Sequence, residues 1–153
     1  MHPLEVRIPP PAVALLTGAL MWLLAWTSPE FGFALRGREY LAGTLAVAGV
    51  AICAIGVAAF LRTRTTLNPM KPESSSTLVV SGLYKVTRNP MYLGLLLALA
   101  GWAFFISNVL AFLVLPGFVV YMNRFQIEPE ERALASRFGD EFVRYASRVR
   151  RWI

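Results

Sequence analysis

A chain of 153 residues that is 56% hydrophobic and only 16% charged reads as a single integral membrane domain, because soluble domains carry about a quarter charged residues. Its net charge of +6 comes from basic residues that interrupt apolar runs and form no separate basic module, which excludes nucleic-acid recognition. With one histidine, His2, and one cysteine, Cys53, inside an apolar run, the chain is expected to have no metal site, no histidine general base and no intramolecular disulfide.

The first uncharged stretch, Ile8 to Pro29, is long enough for one spanning helix. Pro9, Pro10 and Pro11 delay its start, so the helix is expected near 12–27. No persuasive small-residue cleavage site follows, so the segment is read as a span and not as a signal peptide. Tyr40 to Leu61 gives the second helix, near 40–61. Arg62 to Thr77 is rich in Thr, Ser and Pro and reads as an ordered loop or a tether. Asn89 to Asn123 carries no charge. As one helix it would be roughly 52 Å long, well beyond a bilayer core of ~30 Å. Ser107-Asn108 is the turn signal near its middle, so a short hairpin is expected, with helices near 90–106 and 109–125 and a kink at Pro116-Gly117. Leu134, Phe138, Phe142, Tyr145 and Val149 recur at helical spacing, which predicts an amphipathic interfacial helix near 129–148.

The fold class is therefore all-α: four transmembrane helices, the last two a short hairpin, plus an amphipathic helix in the final segment. Four spans put both termini on one side with the 62–88 linker. That side collects 13 of the 15 Lys and Arg residues, leaving Arg36 and Arg38 on the other. The basic side is read as cytoplasmic, as in a multi-pass protein of a bacterial or archaeal inner membrane. The arginines between Arg137 and Arg151 are read as attracted to anionic lipid.

Two polar signatures lie at this face, Gly82 to Gly94 and Glu128-Pro129-Glu130-Glu131. Asn89 suits an N-cap and Pro90 the first helical position. Tyr84 and Tyr92 offer aromatic faces and hydroxyls. Glu130 is an acceptor-only carboxylate able to hold an amine, a ribose hydroxyl or a cation. Such a mixture suits a zwitterionic, nucleotide-like ligand.

The ordered set Leu78-Val79, Gly82-Leu83-Tyr84, Arg88-Asn89-Pro90-Met91-Tyr92-Leu93-Gly94, Glu130-Glu131, Leu134, Phe138-Gly139 and Tyr145 resembles the isoprenylcysteine carboxyl methyltransferase and phospholipid methyltransferase superfamily. The resemblance covers residues 77–153 and implies S-adenosyl-L-methionine as cofactor. It implies a cofactor pocket lined by Thr77, Leu78, Val79 and Tyr84, contacted by Asn89, Pro90, Met91 and Tyr92, and closed by Glu130. Two positions depart from the pattern. The family's usual His is Asn89, which hydrogen-bonds but does not titrate near neutral pH. The basic residue that lies four before the matching Glu in isoprenylcysteine enzymes is Gln126.

No catalytic base is assigned; Tyr92, Asn89, Arg88 and Gln126 are candidates for positioning. The implied partners are the lipid bilayer and a lipophilic or small-molecule methyl acceptor bearing a carboxylate, amine or thiol. Two other readings stand beside this one. An NADPH-dependent reductase related to membrane sterol reductases would carry a similar Arg-x-Pro-x-Tyr-x-Gly opening. A non-catalytic membrane scaffold would use the hairpin for assembly.

Overall fold

The computed structural model describes residues 8–63 and 77–153. The expected loop or tether from Arg62 onward falls largely, and His2 wholly, outside the described residues.

Helix α1 (Pro10–Thr27) begins two residues earlier than the proline cluster suggested. Pro10 and Pro11 occupy its first turn, where amides have no intrahelical partner in any case, so the missing N–H groups leave nothing unsatisfied. Helix α2 runs Arg38–Thr63, helix α3 Pro90–Ile106 and helix α4 Val109–Met122. A π-turn, Asn123–Ile127, carries α4 without a break into α5 (Glu128–Phe138), and α6 (Asp140–Arg148) follows. Among the described residues, three segments are long and apolar enough to cross a membrane: Pro10–Thr27, Arg38–Arg62 and the continuous Val109–Phe138. Helix α3 is equally apolar but shorter, at 17 residues.

The single interfacial helix expected near 129–148 is divided in two. Its first part continues α4, because the amide of Glu128 reaches back to the carbonyl of Asn123 and the widened turn accommodates Pro129, which has no amide to donate. Its second part is set off by Gly139, whose φ of +51° and ψ of −127° lie in a region that side chains disfavour.

The α3–α4 turn forms at Ser107-Asn108. Ser107 takes the left-handed conformation at φ 53° and closes α3 through its amide to the carbonyl of Ala103. The side-chain oxygen of Asn108 accepts from the amide of Leu110 and caps α4. This buried turn is tied to the α1–α2 connection: the side-chain Nδ2 of Asn108 donates to the Ser28 carbonyl at 2.9 Å, and the backbone amide of Phe33 donates to the Ser107 carbonyl at 2.9 Å. Pro116 sits inside α4.

The core lies between α1, α3 and α4, where Met21, Leu99, Ala103, Phe118 and Met122 are buried with Tyr92 and Ile127. Helix α2 is laid against α3 along a seam of small residues. A Cβ on Gly94 would stand 2.5 Å from the Gly49 carbonyl oxygen, and one on Gly101 would stand 2.8 Å from that of Ala42. Ala42, Gly49 and Gly56 recur every seven residues, as do Gly94 and Gly101, so the two backbones touch over several turns. The outer faces of α1 and α2 expose Leu15, Leu16, Trp22, Trp26, Val47 and Val50. So much apolar surface suits contact with lipid tails.

Candidate active site

The two polar signatures meet in space at the end of the bundle opposite the Ser107-Asn108 turn. A 3₁₀ turn, Gly82–Lys85, brings the chain toward α3 and buries Tyr84 and, just after it, Thr87. Tyr84 packs edge-on against Phe60 of α2, with ring centroids 5.6 Å apart. Its backbone carbonyl accepts the Tyr145 hydroxyl of α6 at 2.7 Å. Burial raises the Tyr84 hydroxyl above its ordinary range, and Tyr145 and Glu130 add to the effect, so this phenol stays protonated and Glu130 acts on it electrostatically.

From the first turn of α3, the Tyr92 hydroxyl donates to the carboxylate of Glu130 at the start of α5. Tyr92 is 5% exposed, so this bond lies inside the protein. It joins residues 38 apart in sequence and brings one signature onto the other. A carboxyl group buried away from water needs such a partner, because an unpaired polar group there is disfavoured.

The other candidates are distributed differently. Leu78 and Val79 are buried; Thr77 is exposed. Pro90 and Met91 face α2, with a Cβ on Gly56 coming 2.9 Å from Met91 Cγ and 3.5 Å from Pro90 Cγ. The thiol of Cys53 donates to the Met91 carbonyl at 3.2 Å. Gln126 is fully buried in the π-turn and donates its amide to the Ile8 carbonyl at 2.7 Å. That bond leaves its Oε1 without a partner among the described residues.

Asn89 holds the N-cap position of α3, yet its side chain does not cap the helix. It donates instead to the carbonyl of Arg151 at 2.9 Å. The amides a cap would satisfy belong to Met91 and Tyr92, and the Asn89 side chain reaches neither, its NH2 being turned to the Arg151 carbonyl. Arg88 pairs with Glu131 at 3.0 Å and donates to the Ala146 carbonyl at 2.9 Å. Its buried Nε has no partner among the described residues.

Sequence reasoning missed Arg151 and Trp152. Arg151 was expected to face lipid with the other arginines of its segment. It lies instead on Glu131, with Nη2 at 2.6 Å from Oε2 and Nε at 3.3 Å from Oε1. Trp152 donates to Asn123 Oδ1 at 3.0 Å. No periodicity marks these residues, because they follow α6 outside any helix and are placed by contacts distant in sequence.

These elements define an all-helical membrane protein whose two polar signatures meet in one site. The sequence profile of the phospholipid methyltransferase family matches residues 38–141, and the chain belongs to that family. The match includes α2, which the motif resemblance did not reach. Among similar proteins, an uncharacterized protein of Haemophilus influenzae is 49% identical over 63 residues, covering 41% of this chain and all of that protein. Protein-S-isoprenylcysteine O-methyltransferase B of Arabidopsis thaliana is 33% identical over 91 residues, covering 58% of this chain and 45% of that enzyme. The chain thus aligns with less than half the length of the plant enzyme. No solved structure matches significantly.

Proposed function

We propose that this protein transfers a methyl group from S-adenosyl-L-methionine to a lipophilic acceptor at the cytoplasmic face of a membrane. The observation that carries the proposal is the buried Tyr92–Glu130 hydrogen bond, which unites the two signatures in one site. The surrounding residues fit such a cofactor. The Tyr84 hydroxyl and Arg88 Nε are buried polar atoms without partners among the described residues, so each can donate to a carboxylate or a sugar hydroxyl. Glu130 can accept from an amine or a ribose. The rings of Tyr84 and Tyr92 offer faces to a cationic centre.

When bound, S-adenosyl-L-methionine supplies a methyl group on a positively charged sulfur, a leaving group that needs no activation by acid. The task left to the protein is alignment of donor and acceptor, which can contribute several kcal/mol to a barrier, of order 7–11 in favourable intramolecular cases. Tyr92 and Glu130 hold the α3 and α5 starts together, while Leu78 and Val79 close the site to water. Tyr84, kept protonated by burial, removes no proton from the acceptor, and the Tyr92 hydroxyl is committed to Glu130. An acceptor that is already nucleophilic, such as a carboxylate, fits this arrangement directly.

The same reading gives the bundle four crossings. At 1.5 Å per residue α3 is roughly 25 Å long, short of a ~30 Å core, and is matched by local thinning. The bonds of Asn108 to Ser28 and of Phe33 to Ser107 support this layout, because they place the α1–α2 connection and the α3–α4 turn at one end of the bundle.

Isothermal titration of the purified protein with S-adenosylhomocysteine tests the proposal. Saturable binding is expected, weakened at least ~10-fold, or about 1.4 kcal/mol, by Tyr92→Ala and by Glu130→Ala. Absence of binding at high ligand concentration, or binding of NADPH in its place, would overturn it. A labelled-methyl transfer screen against lipid extracts then identifies the acceptor.

A further inference from the structure

The segment after α6 runs beside the residues that open α3, and the contacts between them are dense. The Arg88 amide donates to the Arg150 carbonyl at 3.0 Å, and Thr87 and Arg150 form an isolated parallel bridge. The Arg151 carbonyl receives two side chains, the Thr87 hydroxyl at 3.3 Å and the Asn89 amide at 2.9 Å. On the other side, the Arg151 guanidinium grips Glu131, and Trp152 reaches Asn123 in the π-turn while packing on the core. Residues 150–152 therefore bridge both jaws of the site: the 87–89 segment that leads into α3, and the π-turn and α5 that carry Glu130.

The charges explain why the bridge is selective. Glu131 lies between Arg88 and Arg151, at 3.0 and 2.6 Å, with its side chain 20% exposed. A two-oxygen grip by a planar guanidinium fixes orientation as well as distance, which an ammonium does not do. Fixing Glu131 fixes the first turn of α5, where Glu130 is the preceding residue. The neighbouring arginines Arg144 and Arg148 are exposed on α6.

We infer that residues 150–152 form a latch across the active site and that Arg151 is a positioning residue, acting through Glu131 and Asn89 on the separation of Tyr92 and Glu130. This assigns Asn89 a role different from that of a titrating histidine: it ties the start of α3 to the latch. The consequence for cofactor affinity rests on the S-adenosyl-L-methionine reading above; the latch itself does not.

The test is Arg151→Gln in the full chain, with Arg151→Lys as the charge-keeping variant and Arg148→Gln as a control for lost surface charge. Two readouts are taken, affinity for S-adenosylhomocysteine and hydrogen–deuterium exchange by peptide. In Arg151→Gln, exchange is expected to accelerate at least ~10-fold in residues 86–92 and 128–132 and to stay unchanged in α2, since each 1.4 kcal/mol of lost local stability gives a tenfold change. Affinity is expected to fall by a similar factor with little change in melting temperature. Arg151→Lys should recover part of both losses, and Arg148→Gln should show neither.

Wild-type exchange in both segments of Arg151→Gln would overturn the latch. If the wild-type protein itself binds no S-adenosylhomocysteine, the functional proposal fails and the exchange result still decides the latch. Should Arg151→Gln not fold, Trp152→Phe removes the bond to Asn123 while keeping an aromatic ring against the core. Faster exchange confined to the same two segments then supports the latch, and unchanged exchange refutes it.

Discussion

Tyr145 shows how a single side chain ties the layers of the site together. Burial pushes its hydroxyl up from an ordinary value of 10 to about 12, with nearby Arg88 pulling in the opposite direction. The folded state thus prefers the protonated form that donates to the Tyr84 carbonyl. Because the folded value is the higher one, this contribution is complete below pH 10 and is lost as pH rises from about 10 toward 12. Thermal melts across that range should show wild-type stability falling, and Tyr145→Phe should lack this part of the fall. Other residues were less legible. Gly-x-Tyr and Glu-Glu marked Tyr84 and Glu130 as candidates, but their partners lie dozens of residues away. Asn89 looked like a helix cap by type and position. Its actual partner is a carbonyl 62 residues further on, which no local pattern encodes.

The elements were largely legible, because uncharged length and turn chemistry are local properties. Ser107-Asn108 divides the long apolar stretch as its residue types suggest, with a left-handed residue followed by a side-chain cap. The final segment was not legible in the same way. Its apolar spacing continues through Gly139, and only the backbone there shows that the helix ends. The α2–α3 seam was also hidden, since glycines in an apolar run do not announce which helix they face. Its backbone contacts make a clear prediction. Gly94→Ala places a methyl group 2.5 Å from the Gly49 carbonyl oxygen and from Cys53 Sγ. Neither helix can yield without losing the seam, so a loss of roughly 1–3 kcal/mol is expected, read as a lower melting temperature in detergent. Gly43→Ala, with open space around it inside α2, should instead hold or raise the melting temperature, since alanine favours a helix interior by roughly 0.5–1 kcal/mol.

For the whole molecule, the proposed topology has a direct check. With Cys53 replaced by Ser, single cysteines at Arg36 and at Arg148 should react with a membrane-impermeant thiol reagent from opposite sides of sealed vesicles. Labelling of both from one side would exclude the odd number of crossings, α2, α3 and α4, that the four-span layout puts between them. Composition and charge alone established a helical membrane protein, and the ordered signatures alone pointed to a methyltransferase family, because both are written in consecutive residues. Only the tertiary structure decided that Tyr92 meets Glu130, that α2 lies on α3 through glycine, and that Arg151 holds Glu131 instead of facing lipid. Each is a contact between distant parts of the chain, fixed by which surfaces pack and which buried polar groups must find partners.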